Sequence, residues 1–116
     1  MVKKVNTQEF AAEAMKAPVA VVDFNATWCG PCRMLAPVLE DISEKYEGKV
    51  SFFSVDVDEC PELAMQYRVS SVPCLVLLKN GAFTDQSVGF RPEPQLTAWI
   101  DGNLGPPALG GGTRHE

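Results

Sequence analysis

Cys29 and Cys32 stand two residues apart in the run Trp28-Cys29-Gly30-Pro31-Cys32. That spacing suits two chemistries: a reversible disulfide closed within a small ring, or one half of a zinc site. Zinc needs a second paired ligand set, whereas Cys60 and Cys74 are isolated and the only histidine, His115, lies near the end of the chain. The residues therefore favour redox work with no metal. If the pair opens a helix, unpaired N–H groups and the positive dipole end stabilise a thiolate on the first cysteine. Cys29 is then the nucleophile: it attacks a target disulfide, a mixed disulfide forms, and Cys32 resolves it by attacking Cys29. Pro31 stiffens the ring, and Gly30 leaves the approach to the sulfurs open.

The flanking residues supply the elements that must hold this pair. Before it, Val19-Ala20-Val21-Val22-Asp23-Phe24 is a nearly unbroken apolar run, the pattern of a central strand covered on both faces. After it, Leu35, Val38, Leu39, Ile42 and Tyr46 recur at helical spacing up to Gly48, with Pro37 expected to kink the helix. Asn6 with Glu9 resembles a capping box and predicts a helix from Thr7 to Lys16, ended by Pro18. Val50 to Val55 reads as a second buried strand, and Pro61 opens a short helix carrying Leu63, Ala64 and Tyr67. Cys74 to Leu78 is a further strand, joined through the Asn80-Gly81 hairpin signal to an edge strand from Phe83 to Val88. Leu96, Trp99 and Ile100 stripe a last helix, begun near Pro94 and stopped by Gly102. With an opening strand whose residues stay unassigned, the order is strand, helix, strand, helix, strand, helix, strand, strand, helix. Helical crossovers imply parallel pairing in the first part and the hairpin adds an antiparallel edge, which makes a three-layer α/β sandwich.

At 116 residues, 46% hydrophobic and 22% charged, the chain fits one domain whose core forms without disulfide staples. Residues 1–104 are expected to form it, with 105–116, rich in glycine and proline, as a flexible tail. No run of about 18 apolar residues exists to span a membrane. A net charge of −5 without a basic aromatic patch argues against nucleic acid. Lys3 and Lys4 precede Thr7-Gln8-Glu9, where a secretory leader needs about 7–15 apolar residues, so the expected location is the cytoplasm. Nothing in the composition suggests an obligate dimer, and a monomer is expected.

Taken together, Trp28-Cys29-Gly30-Pro31-Cys32 after the Val21-Val22-Asp23-Phe24 strand, then Val72-Pro73 and Lys79-Asn80-Gly81, resemble the thioredoxin family. The resemblance runs from about Val5 to Leu104. It implies the thioredoxin fold, with a central mixed five-stranded sheet flanked by four helices. It also implies a general protein-disulfide reductant without an organic cofactor, acting on disulfide-containing client proteins and recycled by a thioredoxin reductase. Asp23, which alone reads more readily as a solvated strand-end residue, becomes by resemblance the buried base that deprotonates Cys32, with a raised pKa. Pro73, alone an ordinary trans loop proline, becomes a cis-proline facing the cysteines. Val72 before it would offer its backbone to an extended substrate. Trp28, Val72, Pro73, Val88, Gly89 and Phe90 would frame a flat, apolar recognition surface.

Several positions depart from the family pattern. Ser54 stands where a lysine is common near the aspartate, which leaves the burial of Asp23 less compensated. Asn25 replaces a frequent second tryptophan, so Trp28 alone is expected to report on the site by fluorescence. Asn25-Ala26-Thr27 also spells a glycosylation sequon at a strand end, read as without meaning. Cys74 follows Pro73 where threonine is usual. It is either a small buried replacement or a third thiol competing for Cys29. Cys60, beside Pro61 at a helix start, is expected to be partly exposed and oxidisable without catalytic purpose. Two other functions fit the residues less well. An oxidant or isomerase usually carries histidine between the cysteines, where this chain has Gly30-Pro31. A binding module would leave the cysteine pair, Asp23 and Pro73 without purpose.

Overall fold

The computed structural model describes residues 1–105; of the expected tail 105–116, everything after Gly105, His115 included, lies outside the described residues. Five strands form one sheet: β1 (Val2–Lys4), β2 (Val19–Asn25), β3 (Ser51–Asp56), β4 (Cys74–Lys79) and β5 (Ala82–Val88). Their spatial order is β1-β3-β2-β4-β5. The helices are α1 (Thr7–Glu9), which continues as π-helical turns over Phe10–Ala14, then α2 (Gly30–Lys45), α3 (Pro61–Gln66) and α4 (Glu93–Leu104).

Alternation along the inner strands sends side chains into two separate cores. Val22 and Phe24 of β2, Phe53 and Val55 of β3, and Val76 and Leu78 of β4 meet Phe10 and Leu63 on one face. On the other face Val21, Phe52, Leu75 and Leu77 meet Leu35, Leu39 and Ile42 of α2 and Leu96 and Ile100 of α4. The three layers inferred from the sequence are those of the structure, and the mixed five-stranded sheet with four helices is the thioredoxin fold.

Pairing differs from expectation at one strand. β1, β3 and β2 run parallel, but β4 already lies antiparallel to β2, so the reversal falls inside the sheet as well as at the β5 edge. The Asn80-Gly81 turn takes positive φ at both residues, 51° and 82°, the geometry that a two-residue hairpin of type I′ requires. The unassigned opening strand is Val2–Lys4, hidden in the sequence because two of its three residues are lysine. Gly102, expected to stop the last helix, lies within α4, which runs on to Leu104. There the Asn103 side chain donates to the Trp99 carbonyl oxygen and to Asp85, and Gly105 at φ 85° ends the helix instead. The first helix is shorter than the predicted Thr7–Lys16, although its capping box forms: Asn6 Oδ1 accepts from the Glu9 N–H, and Glu9 Oε1 accepts from the Asn6 N–H. α2 passes through Pro37 without a break.

Candidate active site

β2 delivers the chain from the middle of the sheet into the short loop Ala26–Cys29, and α2 starts at Gly30. Cys29 is the N-cap residue of α2, extended at φ −94° and ψ 113°, and its Sγ accepts the Cys32 N–H at 3.2 Å. Pro31 fits the first turn, where a missing N–H costs nothing. A disulfide joins Cys29 to Cys32, their Cα atoms 5.3 Å apart. Both cysteines are buried against Ala26 and Val72, whereas Trp28, next to Cys29 in the chain, is 68% exposed.

A second loop closes over the pair. The Val72–Pro73 peptide bond is cis, and the Val72 carbonyl oxygen lies 3.7 Å from Cys29 Sγ. The Gly89 N–H donates to the Pro73 carbonyl at 2.8 Å, with Gly89 at φ 88°, a conformation that glycine adopts freely. That bond sets Val88, Gly89 and Phe90 beside the cis-proline, and both Val88 and Phe90 are exposed. Val72 thus reaches the sulfurs and shares a pocket with Trp28, while Pro73 is tied to Gly89 next to Val88.

Asp23 faces the core beneath α2, where it is 4% exposed. Its Oδ1 has no hydrogen-bond partner. Burial pushes its pKa from the ordinary 3.8 to about 7, with the Asn25 amide pulling the other way. A cavity of about 360 Å³ opens beside it, lined among others by Lys4, Asn25, Cys32, Glu40 and Ser54. Ser54 sits directly across from Asp23 in the β2–β3 register.

Three features escape sequence reading. The Trp28 indole N–H donates to Asp58 Oδ2 at 2.9 Å, and Asp58 is itself held by its N–H donating to Asp56 Oδ1 at 2.8 Å. Asn25, placed only as a departure from the family pattern, donates to Ser54 Oγ at 2.8 Å and to the Asp23 carbonyl at 3.0 Å. Its sequon nitrogen is therefore engaged inside the fold. Lys4 reaches the cavity from the edge strand. Only the strand spacing of Lys4, Asp23 and Ser54 hints at any of these, and it does so only once the sheet order is known.

The remaining cysteines lie elsewhere. Cys74 points into the first core with Phe24 and Val76, and burial, with the Asp23 charge, pushes its thiol up. It therefore packs apart from Ala26, Cys29 and Cys32. Cys60, expected to be partly exposed, is buried in that same first core, because its side chain turns under the start of α3.

Electrons enter and leave a ring of this kind by thiol–disulfide exchange, two at a time, and that places the molecule among the thiol–disulfide oxidoreductases. A family model described as Thioredoxin matches residues 1–102. Thioredoxins from Staphylococcus aureus strains Mu50, MW2 and N315 are each 45% identical to it over 101 residues, covering 87% of this chain and 96% of theirs. The chain belongs to the thioredoxin family. Its activity is protein-disulfide reduction through the reversible Cys29–Cys32 dithiol, and its substrates are disulfides. Among the described residues no helix is long and apolar enough to cross a membrane.

Proposed function

We propose that residues 1–104 form the working unit of a general reductant of client-protein disulfides, with each site residue in a defined role. In the reduced protein the Cys29 thiolate attacks one sulfur of a client disulfide. That S–S bond breaks, the departing client sulfur takes a proton, and Cys29 is left in a mixed disulfide. Cys32 then loses its proton to Asp23 and attacks Cys29 Sγ. The second client thiol is released, and the Cys29–Cys32 bond carries away the two electrons' worth of oxidation. The observation that carries this reading is the N-cap position of Cys29: the Cys32 N–H already points at its sulfur at 3.2 Å. In the dithiol state that donor and the helix dipole act on a thiolate. The unpartnered Oδ1 of Asp23 beside the Cys32 cavity supports its role as the base.

Pro31 tunes the pair by stiffening the first turn of α2, and Gly30 by leaving the approach to the sulfurs open. Trp28, Val72, Pro73, Val88 and Gly89 receive an extended client segment, the Val72 backbone pairing with it in the manner of an added strand. No metal or organic cofactor takes part. A thioredoxin reductase restores the dithiol. The protein works as a monomer in the cytoplasm, with neither nucleic acid nor membrane as partner.

The test is trapping. Cys32→Ser, incubated with a disulfide-bearing peptide, accumulates a peptide adduct on Cys29 by mass spectrometry, while Cys29→Ser accumulates none. A redox-buffer titration of the wild type gives a potential near −270 mV, the value characteristic of thioredoxins. A value of about −120 to −180 mV would make the molecule a donor or shuffler of disulfides instead.

A further inference from the structure

Asp23 does not face its cavity alone. In the register of the sheet Lys4 of β1 pairs with Ser54 of β3, and Ser54 pairs with Asp23 of β2. The three residues form one row, and the row two residues earlier, Val2, Phe52 and Val21, packs on the face beneath α2. Side chains two residues apart share a face, so Lys4 and Ser54 rise on the same side as Asp23. All three line the same cavity, which also reaches Cys32. Two strand spacings, roughly 10 Å, separate the backbones of Lys4 and Asp23. The small Ser54 leaves the space between them open, and the four-carbon stem of lysine covers much of it.

We propose that Lys4 is a positioning residue for proton transfer at the dithiol: its ammonium, turned into the cavity across Ser54, favours the ionised form of Asp23. The proposal rests on the reading of Asp23 as the base for Cys32, and it adds the cation that adjusts that base. In the structure the Lys4 ammonium lies 3.4 Å from the Glu59 carboxylate, an exposed pair of the kind that holds a side chain weakly. Turning inward therefore gives up little.

The other charged or titratable groups around Asp23 are already committed. From α2, Arg33 donates to the Thr27 carbonyl at 2.7 Å, which tethers it to the loop. Glu40, also on α2, accepts from the Val2 N–H at 3.2 Å and lies 3.8 Å from the N-terminal ammonium. Cys32 is the reaction partner itself. From β4, Cys74 faces the opposite core. β3 contributes Ser54 and, two residues on along the same face, the buried Asp56, whose Oδ1 already accepts the Asp58 and Glu59 N–H groups at 2.8 and 3.2 Å. Among the described residues lining the cavity, Lys4 is thus a cation held only by one exposed ion pair and placed to answer the charge on Asp23.

The experiment follows the Asp23 carboxyl by carbon-13 NMR in the reduced protein at low salt. A cation nearby favours the carboxylate, so removing it raises the midpoint. Lys4→Gln is expected to move the midpoint up by roughly half a unit to one unit, the effect of one screened charge at such a distance. Lys4→Arg keeps it near the wild-type value, and added salt shrinks the difference between Lys4→Gln and wild type. Lys3→Gln removes the same charge from the adjacent residue, whose ammonium is bound to Glu13 under the opposite face, and is expected to leave the midpoint in place. Ser54→Lys sets an ammonium next to Asp23 and lowers the midpoint, which demonstrates the sensitivity of the measurement. A Lys4→Gln midpoint equal to wild type, or an equal shift in Lys3→Gln, overturns the proposal. The underlying reading is tested separately by the decay of the mixed disulfide in Asp23→Asn. If that decay keeps its wild-type rate and pH profile, Asp23 is not the base, whatever Lys4 does to its titration.

Discussion

Replacing Asp23 by asparagine should make the protein more stable with respect to wild type as the pH rises, and the size of the gain follows from its burial. The folded protein holds the Asp23 proton up to about pH 7, whereas an exposed aspartate releases it near 3.8. The stability that comes with the neutral carboxyl is therefore complete below about pH 4 and is lost as the pH climbs to about 7. At about 1.4 kcal/mol for each pH unit, the loss reaches roughly 4 kcal/mol. The amide of the variant has no such proton to lose. Urea unfolding of the oxidised forms, followed by far-ultraviolet circular dichroism at intervals from pH 4 to pH 8, gives the stability of each. The quantity to read is the difference between variant and wild type at each pH, because the fixed cost of fitting an amide and the titration of all other groups cancel in its slope. That difference should grow by roughly 4 kcal/mol in favour of Asp23→Asn between pH 4 and pH 8. Curves that stay parallel across this range would refute the claim that burial of the Asp23 carboxyl raises its pKa.

Three further outcomes follow from the fold. Trp28→Phe should abolish the fluorescence change on reduction while Trp99→Phe keeps it, because Trp28 directly precedes Cys29 whereas Trp99 lies on α4, its indole N–H tied to Asp85 of β5 at 3.0 Å. Gly81→Ala should cost at least about 1 kcal/mol in urea unfolding, since φ is 82° there and a Cβ would come 2.8 Å from the Met15 carbonyl oxygen. Asn6→Ala, which removes the capping-box acceptor, should cost about 1 kcal/mol in the same assay.

Much of the architecture was legible because its signals are local. The apolar run through Val21 and Val22, the helical stripe from Leu35 to Ile42 and the Asn80-Gly81 turn each fix an element from neighbouring residues alone. What stayed hidden depends on partners distant in sequence. Val2–Lys4 becomes a strand only because β3 offers it a free edge; its own residues carry no strand pattern. The reversal of β4 against β2 is set by the path of α3 and the loop after it, which leaves no mark on Cys74–Lys79. Gly102 misleads because a glycine ends a helix only where the chain is free to turn, and here Asn103 and Asp85 hold it straight. At the site, the cysteine pair announced itself by spacing. The positions of Asp23 and Pro73 gained meaning through resemblance to a family. The bond from Trp28 to Asp58 joins two loops that only the folded sheet brings together.

β2 is paired on both sides, with β3 along one edge and β4 along the other. Its amide hydrogens should therefore be among the last in the molecule to exchange with solvent, released only when the domain opens as a whole. The carboxyl on that same strand sits against a cavity, and its hydrogen needs no such opening to leave. One residue, Asp23, thus keeps two clocks. Its backbone proton turns over as slowly as global unfolding allows, while its side-chain proton exchanges through the cavity. A carboxyl can gain and lose its proton on the doubly paired strand of the sheet without loosening it.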